Sequence, residues 1–207
     1  MNKNEKLILV VKKNSLFKGD EFEGFMRPSV DFQSRILDNF EYIKREIAEK
    51  DENFKQPIGY AVIFNPKSKK LFAYQRDSDK NNYFESRLHG KWSLGIGGHI
   101  EKSEENFDNP VLAGLLREVS EEVNIPGKAK PELLGYINDD SDEVGKVHFG
   151  VLYLIKIDSD DVSIAGNEHK RGEMMSFSEF DNLLSDENVV VESWSKIAFN
   201  AIRNMDL

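Results

Sequence analysis

Cysteine is absent from the 207 residues, which excludes disulfide bridges and thiolate metal sites. Long apolar runs are missing as well. The opening MNKNEKLILVVKKNSLF holds one apolar run, Leu7 to Val11. That run is too short for the core of a signal peptide or for a membrane span, so a cytoplasmic protein without a membrane partner is expected. Positive charge is scarce: 28 Lys and Arg stand against 37 Asp and Glu, a formal net charge of −9. Binding to a phosphate backbone relies on clustered basic side chains, so no long nucleic acid is expected as a partner. A small anionic substrate stays compatible with this charge, because a bound cation inverts the local field. What the chain does have is material for a core. Hydrophobic residues make up 39% of it, with 14 phenylalanines, enough for one domain with an extension.

The pattern changes near residue 57. Before it, KLILVVKK reads as a strand and SLFKGDEFEGFM as a turn-rich aromatic stretch, a hairpin candidate. VDFQSRILDNFEYIKREIAEKD places Phe32, Ile36, Phe40, Ile43 and Ile47 at helical spacing, which predicts one amphipathic helix. Pro57 marks a boundary, dividing an N-terminal extension, 1–56, from a main domain, 57–207. The extension needs a surface to cover: the sheet, the cleft, or a second copy in a homodimer. In the main domain, IGYAVIF and KLFAYQR are strands joined by a turn, and a long polar loop leads to WSLGIGGHI. A helix follows with Asn109 as N-cap and Pro110 at its first position, and Asn124 is expected as a left-handed stop. Its apolar stripe is Leu112, Leu115, Leu116, Val119 and Val123. ELLGYI, KVHFGVLYLIKI and GEMMSF read as further strands, the second apolar on both faces and hence central. SEFDNLL and ESWSKIAFNAI close the chain as helices. The fold class is α+β, a mixed β-sheet packed between helices with an N-terminal strand-helix extension.

The stretch REVSEEVNI sets three carboxylates, Glu118, Glu121 and Glu122, on one helix face within an arc of roughly 100°. Like charges at this spacing repel, so either water screens them or a cation sits among them. An acidic helix face is more often solvated surface. The upstream GIGGHIEKSE alters that balance. Gly97 and Gly98 at a strand end let backbone approach a ligand, Glu101 and Glu104 follow, and Arg117 can hold a carboxylate.

Together these residues resemble the Nudix hydrolase superfamily. Its signature runs Gly, five residues, Glu, seven residues, then Arg-Glu-apolar-x-Glu-Glu-x-Gly-apolar. Gly98 and Glu104 match the first part, and REVSEEVNI matches the second with Asn124 in place of the last glycine. Twelve residues separate Glu104 from Arg117 instead of seven, so five extra residues fall within ENFDNPV. Glu105 and Glu101 therefore compete with Glu104 as partner of Arg117. The resemblance, over roughly residues 57 to 205, implies a cytoplasmic pyrophosphohydrolase that uses Mg²⁺ or Mn²⁺. Glu121 and Glu122 would hold the metal with a carbonyl of Gly97 or Gly98. Glu118 would be a further ligand or the base that activates water, with Arg117 and Glu104 completing the catalytic set. The substrate would be a small-molecule diphosphate, a nucleoside diphosphate derivative or a related phosphorylated compound.

Arg76, Arg87, Lys91 and His99 are candidates for binding phosphate, although capping its loop is the simpler reading of His99. His148, on an apolar strand, reads as a packed core histidine before a ligand. NDDSDE reads as a solvated acidic turn before a metal site. Glu168 and Glu173 lie where many family members recruit an extra base, and plain surface is the simpler reading. Trp92 and Trp194 read as core. Two other classes stay open: a non-catalytic nucleotide- or protein-binding module of the same fold, and an isomerase. The isomerases on this fold use a catalytic cysteine, which this chain lacks.

Overall fold

The computed structural model describes residues 3–77, 89–127, 130–165 and 169–205; Arg87 and Glu168 lie outside them. The chain runs through β1 (Leu7–Lys12), α1 (Lys13–Phe17), β2 (Gly24–Met26), α2 (Phe32–Asn39), β3 (Phe40–Lys44) and α3 (Arg45–Ala48). Next come β4 (Phe54–Asn65), β5 (Lys70–Arg76), β6 (Trp92–Ser93), β7 (Gly95–His99), α4 (Pro110–Glu122) and β8 (Val123–Asn124). Then follow β9 (Pro131–Asn138), β10 (His148–Lys156), β11 (Ser163–Ile164), β12 (His169–Ser176), α5 (Phe177–Ser185) and α6 (Ser193–Arg203). This is the α+β class expected, a mixed sheet with helices. Two compact units divide it. The first comprises Met1–Tyr60, Gly97–Arg117 and Leu133–Tyr153, and the second Ala61–Ile96, Glu118–Glu132 and Leu154–Leu207.

In the first unit, β1 pairs antiparallel with β3, from Leu7 opposite Lys44 to Val11 opposite Phe40. On its other edge, Val11 and Lys12 meet Lys55 and Phe54 of β4. The single helix expected over 30–51 is thus broken into α2, β3 and α3. Asp31 caps α2, its carboxylate accepting from the Ser34 amide at 3.0 Å. Beyond Asn39, however, FEYIK supplies a strand that satisfies the open edge of β1, and this long-range pairing outweighs the helical spacing of its apolar residues. Ile47 consequently stands 52% exposed instead of completing a buried stripe. Pro57 falls inside β4 and interrupts nothing.

The core of this unit is aromatic. Phe32 packs against Phe17, Phe22, Tyr136 and Phe149 with ring centroids 5.1 to 6.0 Å apart. Gly59 and Gly97 are there because nothing larger fits. A Cβ on Gly97 would stand 2.2 Å from the Gly59 carbonyl oxygen, and one on Gly59 2.7 Å from the Leu115 Cβ. Removing both side chains lets β7 and α4 lie directly on β4. The acidic turn after β9 is anchored from within, because the fully buried Lys55 ammonium donates to Asp140 at 2.5 Å and to the Gly145 carbonyl at 2.8 Å. Burial pushes the Lys55 pKa down, and Asp140 opposes that shift.

In the second unit, β5 pairs antiparallel with β12, from Met175 opposite Leu71 to His169 opposite Arg76, with an irregularity between His169 and Arg171. The end of β4 and the short β6 also pair with β5. α5 opens with a capping box, Ser176 and Glu179 each serving the other's backbone amide. Phe177 and Phe180 pack on Phe199 of α6.

Candidate metal and catalytic site

The helix that carries REVSEE starts as its sequence dictates. The Asn109 side chain accepts from the Leu112 amide at 3.0 Å, and Pro110 occupies the first turn. Leu115 and Val119 are buried as expected, with Val111 added, while Leu116 is 38% exposed. The end differs from expectation. Asn124 does not take a left-handed conformation; Val123 and Asn124 extend into β8 and pair with Ile164 and Ser163 of β11. The Glu122 carbonyl accepts from the Ala165 amide at 2.9 Å, so a strand pairing satisfies the helix end that a left-handed residue would otherwise close.

In the second unit, the three glutamates share the last turn of α4 but not one environment. Glu121 is exposed, Glu118 half-buried, and Glu122 only 7% exposed. His169 of β12 explains how Glu122 can be buried. Its Nε2 lies 2.8 Å from the Glu122 carboxylate, and its ring packs on Tyr74 at 4.1 Å between centroids. Tyr74 is itself fixed by donating to the Gly95 carbonyl at 2.6 Å. Donation from His169 Nε2 orients the Glu122 carboxyl group. The Nδ1 of His169 is buried with no hydrogen-bond partner. Nothing in the sequence singled out His169, which lies 47 residues from Glu122.

In the first unit, Gly97 and Gly98 end β7, half-buried. Arg117 donates from Nε to Glu104 at 2.9 Å and from Nη2 to the His99 carbonyl at 3.1 Å. Glu104 is 4% exposed. It is therefore Glu104 that pairs with Arg117 across the lengthened loop, and the competing carboxylates are engaged elsewhere. Glu101 accepts from Lys6 at 2.5 Å, and Glu105 lies 3.9 Å from Lys102. Burial, with the negative charges of Glu104 and Glu105, pushes the Tyr42 phenol up to about 12.

The proposed phosphate contacts fare unevenly. Arg76 is 6% exposed and directs its Nε to Glu192 at 2.5 Å, an ion pair inside the second unit. Lys91 lines a cavity of about 230 Å³ in the same unit, with Gln75, Trp92 and Arg171, whose guanidinium lies over the Trp92 ring at 4.7 Å. Trp92 is 2% exposed and Trp194 half-buried. Glu173 stands exposed within β12 and not on a loop. His99 is no simple loop cap. Its Nε2 faces His148 Nε2 at 3.2 Å and Gln56 Oε1 at 2.7 Å.

Hard carboxylate oxygens on one helix turn are the donor type that Mg²⁺ and Mn²⁺ prefer, so Glu118, Glu121 and Glu122 suit such an ion by their chemistry.

Comparison with known proteins identifies the family. The model of the NUDIX domain matches residues 55–193. Protein YmaB of Bacillus subtilis (strain 168) is 32% identical over 214 residues, covering 98% of this chain and all of the relative. Tm1382, a candidate Nudix hydrolase of known crystal structure, is 32% identical with a TM-score of 0.75, covering 96% of this chain and 99% of its own. The NUDIX domain of Shewanella oneidensis NrtR, solved with ADP ribose, is 18% identical with a TM-score of 0.51, covering 73% and 89%, and is alike in fold. With two thirds of its length matched by the family model and a relative aligned end to end, this chain belongs to the NUDIX domain family.

Proposed function

We propose that the protein hydrolyses a diphosphate linkage in a nucleoside diphosphate derivative or a related phosphorylated small molecule, with Mg²⁺ or Mn²⁺ as cofactor. One observation carries the reading most: Glu122 is buried as a carboxylate, oriented by His169, on the helix turn that also bears Glu118 and Glu121. A buried acidic side chain held ready in this way serves a cation better than it serves a solvated surface. Membership of the NUDIX domain family supports a pyrophosphohydrolase in general.

Glu121 and Glu122 would hold the cation. When bound, it neutralises the carboxylates and the substrate's phosphate oxygens and lowers the pKa of water. The chain's own residues have separable tasks. Glu118, one turn before Glu122, accepts the proton of the attacking water. His169 keeps the Glu122 carboxylate in one orientation. Arg117 fastens the loop bearing Glu104 and the His99 carbonyl to the start of the acidic turn. Water attacks one phosphorus, and a phosphate-bearing group leaves. ADP ribose, bound by the NrtR domain, represents the substrate class to try first.

The test is a panel of nucleoside diphosphate derivatives and triphosphates incubated with Mg²⁺ or Mn²⁺ in heavy-oxygen water. Products with one heavy oxygen on a phosphate are expected. Nucleotide binding without any labelled product would favour the non-catalytic module instead.

A further inference from the structure

The first unit contains a second cluster built from different chemistry. Glu49, His99 and His148 each offer one ligating atom, all within 4.8 Å of one another. His99 Nε2 is 3.2 Å from His148 Nε2 and 3.5 Å from Glu49 Oε1. Zinc holds imidazole nitrogen and carboxylate oxygen at ~2.0–2.1 Å, which makes the edge of its tetrahedron roughly 3.3 Å. The two measured separations bracket that edge.

Hydrogen bonds between neutral rings do not account for the arrangement. His148 Nδ1 lies 2.6 Å from the Val144 carbonyl oxygen, which requires a proton on Nδ1 and leaves a lone pair on Nε2 of the neutral ring. His99 Nε2 then faces that lone pair, the Glu49 carboxylate and Gln56 Oε1 together, and one N–H cannot serve three acceptors. Gln56 is fully buried, and its Nε2 has no hydrogen-bond partner. Reversing the amide would let it donate to His99, but two imidazole lone pairs would then face each other at 3.2 Å with an orphaned oxygen nearby. A cation between the rings resolves either case.

The surroundings also suit a metal. The Val144 carbonyl fixes the tautomer of His148, and Arg45 Nε donates to Glu49 Oε1 at 3.2 Å, orienting the carboxylate. The His99 carbonyl is held by Arg117.

We propose that Glu49, His99 and His148 form a second divalent-metal site that takes zinc or a neighbouring first-row transition ion. Two imidazoles disfavour Mg²⁺, which demands oxygen ligands, and favour Zn²⁺, Co²⁺ or Ni²⁺. Three protein ligands would leave one position for water. Glu49 lies outside the matched NUDIX domain, so the N-terminal segment contributes a ligand.

The experiment titrates the untagged, chelator-treated full chain with Co²⁺ alone and then displaces it with Zn²⁺. Wild type is expected to show the visible bands of a four- or five-coordinate nitrogen-bound cobalt ion, at one equivalent, and to lose them on adding zinc. His148→Gln, which retains a polar side chain, should weaken that binding at least 30-fold, and Glu121→Gln should leave the bands unchanged. Glu49→Gln, a change at a half-buried position, should match His148→Gln and stands in for it if circular dichroism shows that variant unfolded. Folded wild type without such bands, or folded variants at Glu49 and His148 that keep them, would overturn the site.

Discussion

Arg117 joins two parts of the first unit, and replacing it gives a test whose size follows from the structure. Arg117→Met keeps the apolar stem of the side chain and removes the donations to Glu104 at 2.9 Å and to the His99 carbonyl at 3.1 Å. Glu104 is then left 4% exposed without its countercharge, and its Oε2 already lacks a partner. Removing one member of a fully buried pair costs about 3–5 kcal/mol. The Arg117 side chain is 27% exposed, and solvent screening lowers the expectation to about 2–3 kcal/mol. For a chain of this size each kcal/mol moves the melting temperature by about 2–4 °C, so a fall of about 5–10 °C is expected. Glu104→Gln in the same molecule removes the stranded charge, and the double variant should be more stable than the two losses summed, by about 1 kcal/mol or more. Urea unfolding of the four proteins reads these differences directly. Arg117→Met within about 0.5 kcal/mol of wild type, or strictly additive losses, would refute the reasoning.

Glu118→Gln should lower kcat by about 10²-fold with little change in Mg²⁺ dependence, whereas Glu173→Gln, exposed in β12, should have little effect. The reverse result would move the base to β12. His169→Ala removes the partner of Glu122, so the Mg²⁺ concentration for half-maximal turnover should rise by about 10-fold or more, read by metal titration of activity. Tyr42 and Tyr153 are both pushed up to about 12, chiefly by burial. Their raised folded pKa favours the neutral phenol, so this stability is complete below pH 10 and declines as pH climbs towards 12. Tyr42→Phe and Tyr153→Phe should each flatten that alkaline decline, measured by urea midpoints across the range.

Local signals carried most of what the sequence revealed. Asn109 and Pro110 set the helix start because a cap acts within one turn, and the spacing of Glu118, Glu121 and Glu122 is a property of the helix itself. Glu104 was legible from its place in the signature, although twelve intervening residues left its pairing open until the loop was seen. What escaped depends on partners distant in the chain. FEYIK becomes a strand because β1 needs an edge partner, and Asn124 extends because Ser163 and Ile164 are waiting for it. His169 is an unremarkable residue before a basic pair until the sheet delivers it to Glu122. His99 read as a loop cap or a phosphate contact and His148 as a packed core residue, and only the fold sets their rings face to edge, 5.3 Å apart, beside Glu49.

The central claim is that the acidic turn of α4 holds the cation on which hydrolysis depends. Turnover of a diphosphate substrate, measured against Mg²⁺ for wild type and Glu122→Gln and repeated in excess chelator, tests it most directly. The account predicts turnover that rises to saturation with Mg²⁺, disappears in chelator, and falls by about 10²-fold or more in folded Glu122→Gln, whose amide lacks the charge that retains the ion. Wild-type turnover that survives the chelator, or a Glu122→Gln protein with undiminished activity, would contradict it.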